Sequence, residues 1–367
     1  MKRAAIFAAI LAVMASCTSK QTPPAKEYLV GCEYFAGWWD GPESKWGGPD
    51  KAPADQRVDW RPQYPDRLPL NGLYNSQEVM DKDILSASEY GVDFFSILWY
   101  PNEQAEYGVN LINQALDWFV ASPHADKMKF MIEITNHKPF IVETDEEWQE
   151  MAVMCAGKMK HSSYLRIDGR PVLKIHGGHA FLADLGGDVA EANRVLGNLR
   201  RTIAGQGAGD VLIAVGITED RKVKGTPLAE LDIDCAMMYA DPTDLPQVEQ
   251  DYPFGELTAA AQRNMLARTD DIFPFVPYIM CGWNAKPWSD WRANFDLPTR
   301  EEWKEALMML KEGLDSKPNL GFPRRDGSLQ KAFTIYAWNE FGEGGFLAPT
   351  TGTGTMKLEV LKEVFGE

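Results

Sequence analysis

The sequence predicts a (β/α)8 barrel, and two observations carry that prediction. About eight short apolar runs rich in Val, Ile, Phe and Tyr recur along the chain: "YLVGCEYFAGWW", "VDFFSILWY", "MKFMIEIT", "PVLKIHG", "DVLIAVGIT", "DCAMMYAD", "FPFVPYIMCGW" and "KAFTIYAWNE". Their near-continuous apolarity suits strands covered by helices. Amphipathic stretches of helical length separate most of these runs, as a parallel barrel requires. The competing architecture is a doubly wound open sheet, which would call for a Gly-rich dinucleotide loop after the first strand. A long Trp/Gly/Pro-rich loop over residues 40–75 stands there instead.

Chemistry in such barrels sits at the C-terminal ends of the strands, so each element is read for what its end supplies. The first strand ends near Tyr34, Trp38 and Trp39. The helix "SQEVMDKDILSASEYG" follows the loop, opening on a Ser76 cap and stopping at Gly91. Strand two ends at Trp99-Tyr100-Pro101, and "GVNLINQALDWFVAS" is the next helix. The third strand carries Glu133 and runs out at Asn136-His137-Lys138, before the helix "TDEEWQEMAVMCAGKMK". His176 ends the fourth strand and "DVAEANRVLGNLRRTIAG" follows it. The fifth ends at Thr218-Glu219-Asp220, and only the short "KGTPLAELD" separates it from the sixth, so one helix is reduced there. Tyr239 and Asp241 end the sixth strand, with Asp241 equally able to serve as a turn residue before Pro242. After the helix "FGELTAAAQRNMLART" comes a seventh strand ending at Trp283-Asn284. "TREEWKEALMMLKEGL" precedes the eighth, which runs out through Trp338-Asn339-Glu340-Phe341-Gly342-Glu343, and "MKLEVLKEVFG" closes the chain.

Composition narrows the function. The 367 residues are 45% hydrophobic and 25% charged, an ordinary globular balance able to fill a large core. The formal charge of −16, with no basic stripe, excludes nucleic acid as the expected partner. Twelve Trp and twelve Tyr in an acidic chain suit saccharide binding, because indole faces stack on pyranose C–H faces; they suit a large aromatic core equally.

Residues 1–16 read as a secretory leader. Lys2 and Arg3 give the positive start, residues 4–13 are an apolar run too short to span a bilayer, and Met14-Ala15-Ser16-Cys17 resembles a bacterial lipoprotein cleavage box. On that reading Cys17 is lipidated, residues 17–26 are a polar tether, and residues 27–367 form the barrel domain at the cell envelope. An ordinary leader with an incidental cysteine is the alternative. Cys32, Cys155, Cys235 and Cys281 show no zinc spacing and lie in apolar surroundings, so buried thiols are favoured over a disulfide. Five His without ligand spacing give no metal signal, and no cofactor motif appears.

The mouth of the barrel thus gathers aromatics, two His and several carboxylates. Glu340 and Glu343 are the expected catalytic pair. Tyr34, Trp38, Trp99, Tyr100, Glu133, Asn136, His176, Tyr239, Trp283 and Asn339 are the expected substrate-binding residues. Two acids at an aromatic-lined mouth are what glycosidic cleavage needs: one protonates the leaving oxygen, the other serves as base or nucleophile. Glycines at 342, 344 and 345 would let the chain fold Glu343 back over the cavity that Glu340 faces. Crowding of two acids in a desolvated pocket would push their pKa values apart.

"WNEFGEG" resembles the Trp/Phe-Asn-Glu-Trp-x-Glu-Gly segment at the last strand of glycoside hydrolase family 99 and its WbsX-like relatives. "CEYFAGWW", "YPDRLPLNGLYNSQEVMDKDILSASEYGVDFFSILWY" and "YLRIDGRPVLKIH" are similar to further family segments in the same order, so the resemblance spans residues 28–350. It implies Glu340 as general base and Glu343 as general acid. In that family the base removes the sugar 2-hydroxyl proton, the oxygen attacks the anomeric carbon, and water opens the 1,2-anhydro sugar with net retention. The resemblance also implies action inside α-mannoside chains without a metal, a sugar-site role for Tyr239, and a family glutamate at Glu133. The chain departs from the pattern at Phe341, at Gly342, and at Leu347-Ala348-Pro349, where the family has Glu-Pro. Two other functions compete: a barrel that binds carbohydrate without cleaving it, and a glycosyltransferase, which would need a metal-nucleotide motif that no strand end supplies.

Overall fold

The computed structural model describes residues 26–41, 44–49, 51–101, 109–217, 223–240, 245–267 and 273–366. The leader, Cys17 and all of the tether but Lys26 lie outside these residues, as do the strand-end residues Thr218, Glu219, Asp220 and Asp241.

Six strands enter one sheet in chain order: β1 (Leu29–Tyr34), β2 (Phe94–Trp99), β3 (Lys129–Ile134), β4 (Arg170–Ile175), β5 (Leu212–Gly216) and β6 (Cys235–Met237). The seventh apolar run is cut at Pro277 into β7 (Phe275–Val276) and β8 (Tyr278–Met280), since proline has no N–H for the ladder. The barrel ends with β9 (Ala332–Tyr336). Neighbours follow the order β7-β6-β5-β4-β3-β2-β1-β9-β8, and every pairing along it is parallel. Because β7 pairs with β6 and β8 with β9, the two pieces flanking Pro277 bring the ends of the sheet together. The (β/α)8 expectation holds.

Among the described residues the helices are α1 (Gln77–Glu89), α2 (Val109–Ala121), α3 (Asp145–Met159), α4 (Gly178–Asp184), α5 (Val189–Gly205), α6 (Phe254–Ala267), α7 (Arg300–Ser316) and α8 (Met356–Phe365). Ser76 caps α1 by accepting the Val79 N–H. α3 and α7 each begin with a Thr-x-x-Glu capping box, from Thr144/Glu147 and Thr299/Glu302. The reduced helix between β5 and β6 is a 3-10 turn at Pro227–Glu230. The sequence reading missed α4, whose seven residues carry less than two turns of pattern. No helix of the described residues is long and apolar enough to cross a membrane.

Strand parity divides the core. Tyr34 and Phe95 face outward, where Tyr34 donates to Asp83 of α1 and Phe95 packs on Phe119 of α2. Phe333 of β9 meets Phe365 of α8 in the same layer. Inside the barrel, Glu33, Ser96, Glu133 and Lys174 converge from β1, β2, β3 and β4. Cys32, Cys155, Cys235 and Cys281 are buried free thiols.

Candidate active site

β9 ends at Tyr336, short of the glutamates. Its neighbour β8 finishes at Met280, the register partner of Tyr336, and beyond it β1 still accepts the Trp338 N–H on Glu33 O at 2.7 Å. The chain then forms a hairpin of β10 (Asn339–Glu340) and β11 (Gly345–Phe346), pairing Asn339 with Phe346 and Glu340 with Gly345. This corrects the reading of Glu340 as the tip of the eighth barrel strand: it lies on the first arm of a separate hairpin, and Glu343 lies in the turn. Gly344 has φ +77°, a left-handed conformation that a side chain would strain. At Gly342 a Cβ would sit 2.2 Å from the Trp288 ring, so only glycine lets that indole close on the turn.

Each glutamate is held by a tyrosine. The Tyr239 hydroxyl donates to Glu340 Oε1 at 2.6 Å, and the Tyr336 hydroxyl donates to Glu343 Oε2. The two tyrosine rings meet edge to face with centroids 5.0 Å apart. Burial, and then the Glu340 charge, push the Tyr239 phenol well above its ordinary pKa, so it remains a donor. On the other side Arg292 lies 4.0 Å from Glu343 Oε1, braced by Asp290 and stacked 4.2 Å over Trp283.

Both glutamates line a cleft of about 340 Å³ together with Tyr100, His176, Tyr239 and Trp288. Its floor is charged. Lys174, fully buried, lies 3.1 Å from Glu33 and 2.9 Å from Glu133, both fully buried as well. Glu133 also meets His176 Nδ1 at 2.6 Å and accepts the Ser96 hydroxyl at 2.8 Å. Burial opposes ionisation of Glu133, but Lys174 and His176 outweigh it and hold its carboxyl below the usual range. Glu33 goes the other way: burial and the neighbouring Glu133 charge raise it. Lys174, despite burial, is raised by the two carboxylates.

The structure brings Glu340, Glu343, Tyr239, His176 and Tyr100 into one cleft. Glu133 lies under it and orients His176. The other expected binding residues lie elsewhere. Tyr34 points outward to Asp83. Trp38 is 1% exposed within a cluster of Trp46, Trp60, Trp288 and Phe341, which ties the long first loop to the hairpin turn. Trp99, on the outward parity of β2, lines a hollow beside α3 that Tyr100 also borders. Asn136 clamps Gly177 through both its amide N–H and its carbonyl. Asn339 accepts the Phe35 N–H, and Trp283 is 1% exposed beneath Arg292. These residues frame the site without facing it.

Sequence reasoning missed Lys45, Trp288 and Tyr336 around the cleft, and Glu33 and Lys174 beneath it; Lys138 was placed at a strand end without a binding role. A signal existed for Glu33 and Lys174: each is a charged residue within a run of apolar strand residues, in "LVGCEY" and "PVLKI". Lys45 and Trp288 arrive on long loops, where no periodicity announces direction.

No protein-family model matches this sequence, and no curated protein sequence does. Solved structures match in fold. The GH99 endo-alpha-mannosidase from Bacteroides thetaiotaomicron aligns over 92% of this chain and 97% of its own, at TM-score 0.61 and 16% identity. The same enzyme in complex with bis-tris-propane gives TM-score 0.59 over 92% of this chain and 95% of that chain. An exo-beta-1,4-mannosidase from Opitutaceae bacterium strain TAV5 reaches TM-score 0.51 at 12% identity, over 92% of this chain and 58% of that one. What these likenesses establish is a shared architecture: the chain has a GH99-like (β/α)8 fold.

Proposed function

We propose that this protein is a glycoside hydrolase that uses Glu340 and Glu343 on a saccharide held in the cleft. The observation that carries the proposal is the hairpin itself: two carboxylates three residues apart, each accepting a tyrosine hydroxyl, both lining one cleft at the C-terminal mouth of the barrel. The fold shared with a GH99 endo-alpha-mannosidase supports the class, and the "WNEFGEG" resemblance supports the division of labour.

In the proposed sequence Glu340, ionised, takes the proton of the sugar 2-hydroxyl. The 2-oxygen then bonds to the anomeric carbon as the glycosidic bond breaks, and Glu343 protonates the departing oxygen. A water next adds to the anomeric carbon, giving its proton to Glu343. The bond from that carbon to the 2-oxygen breaks, and Glu340 returns its proton to the 2-oxygen. The anomeric configuration is inverted twice, hence retained. Tyr239 and Tyr336 aim the two carboxylates. An α-mannoside within a chain is the proposed bond type, from the family resemblance.

The test is reducing-end release from α-mannans and a wider glycan panel, by wild type, Glu340→Gln and Glu343→Gln, with the product anomer followed by NMR. Equal activity of all three proteins on every responsive glycan sinks the assignment. Binding without turnover, unaffected by Glu340→Gln, turns the protein into a carbohydrate-binding barrel. We also propose that lipid on Cys17 holds the barrel at the bacterial cell envelope, as the leader motif suggests. Cys17→Ala should then move the protein from the membrane pellet to the soluble fraction.

A further inference from the structure

The cleft carries a charge that the proposed chemistry does not use. Among the described residues the carboxylates lining its walls are Glu340 and Glu343, with Glu133 beneath bonded to His176, whereas its basic residues are Lys45, His137, Lys138 and His176. That is an unusual balance for a chain of formal charge −16.

The basic groups flank the glutamates on two sides. Along one wall, Glu340 is bonded to Tyr239, whose ring lies 5.1 Å from His176. His176 lies 6.1 Å from His137, next to which stands Lys138. On the other side Trp288 packs against the hairpin turn at Gly342, and the Lys45 ammonium lies 5.4 Å from the Trp288 ring centroid.

Both lysines stand on braced backbone. Lys45 donates its N–H to Gly37 O and accepts the indole N–H groups of Trp60 and Trp288 on its carbonyl. Its stem runs over Gly37, where an added Cβ would come within 2.8 Å of it. His137 is fixed by the Phe140 N–H on its carbonyl, and its ring packs edge-on against Phe140.

The two arms also feel one another. Burial lowers the His137 pKa, and the charges of His176 and Lys45 lower it further. Outside the cleft, Asp184 at the end of α4 senses Lys138, yet burial still leaves its carboxyl above its ordinary value.

We propose that the saccharide taken by this cleft is anionic, its sugar bearing a carboxylate or sulfate that seats between Lys45 and Lys138. The proposal rests on reading the cleft as a glycan site. Electrostatics gives the reason: an acidic polymer approaching an acidic protein is repelled, so recognition needs local cations that focus the ligand at the site. Lysines serve this purpose as point charges on flexible stems, which accept either anion without demanding one geometry.

The experiment uses matched oligosaccharides differing in one substituent: a hexuronate against its parent hexose, and a sulfated glycan against its desulfated form. Each pair is followed by turnover with wild type and by calorimetric binding to Glu340→Gln. Wild type should prefer the acidic member of at least one pair, and the responding pair tells carboxylate from sulfate. Lys45→Met and Lys138→Met should each reduce that preference by about 10- to 100-fold, the scale of a lost hydrogen bond to a charged group. Lys45→Arg and Lys138→Arg should restore most of it, which separates charge from folding, and added salt should weaken it. Absence of any acidic preference in both turnover and binding overturns the proposal. If the preference holds while Glu340→Gln and Glu343→Gln still cleave, the substrate class stands and the catalytic assignment falls.

Discussion

Two glutamate pairs sit one above the other in this barrel, and they are held in opposite ways. The lower pair, Glu33 and Glu133, is fully buried and tied to the ammonium of Lys174. The upper pair, Glu340 and Glu343, lines the cleft and is tied to tyrosine hydroxyls, with Arg292 at 4.0 Å from Glu343. A carboxylate locked to a buried cation has its charge fixed by the fold and has no route to a substrate proton. One that accepts a neutral hydroxyl and faces a cleft can change its protonation as a reaction proceeds. Position in the sequence does not reveal this difference; the partner does.

The largest expected effect tests the upper pair. Glu340→Gln or Glu343→Gln should lower kcat by about 100- to 10,000-fold, the usual worth of one general acid or base, while the melting temperature stays close to wild type. A large drop in stability with either substitution would mean that the upper pair is structural too, and the contrast would collapse.

Lys174→Met probes the lower pair. Removing one partner of a buried charge network leaves carboxylates without a counter-charge, a loss of about 3–5 kcal/mol in denaturant unfolding. The triple variant Glu33→Gln/Glu133→Gln/Lys174→Met, which leaves no charge to desolvate, should recover most of that loss. If Lys174→Met unfolds like wild type, the lower network does not hold the barrel.

The same network sets a pH dependence. Glu133 titrates below its unfolded value of about 4.3, so its contribution to stability is complete above that pH and is lost as pH falls through the lower folded value. Lys174 is raised, so its contribution is present below about pH 10.4 and disappears only at higher pH. Glu33, raised by burial, has the opposite sign from Glu133 and costs stability as pH rises above about 4.3. Glu133→Gln should therefore flatten the acid limb of unfolding free energy against pH. An unchanged limb would assign acid sensitivity to other carboxylates.

How far the sequence disclosed these two pairs depends on what carries direction. Eight alternations of apolar run and amphipathic segment identify a barrel because packing requires both periods, and Pro277 merely splits one strand without changing the count. "WNEFGEG" was legible as an acid pair because its spacing is local. Its geometry was not: the hairpin turn is packed by the Trp288 indole, which closes on Gly342 from far away in the chain. Aromatics at strand ends were harder still. Trp38, Trp283 and Trp99 have the right composition for sugar platforms, yet tertiary packing buries the first two and strand parity turns the third away.

Parity also supplies the smallest effect worth measuring. The alternation that brings Glu33 and Glu133 inside gives only one of two adjacent aromatics at the end of β2 a face on the cleft. Tyr100 lines the cleft and also borders the outer hollow beside α3, its backbone N–H and carbonyl both bonded to the Asn113 amide at 2.8 Å. Trp99 lines only the outer hollow beside α3. Tyr100→Ala should cost up to about tenfold in kcat/KM, the worth of one aromatic wall in contact with a ligand. Trp99→Ala should change kcat/KM by less than about twofold, since a surface change away from the cleft alters little beyond local packing. The reverse result, with Trp99 the more important of the two, would move the saccharide path out of the barrel mouth and onto the face of α3, and the upper glutamates would no longer be at its centre.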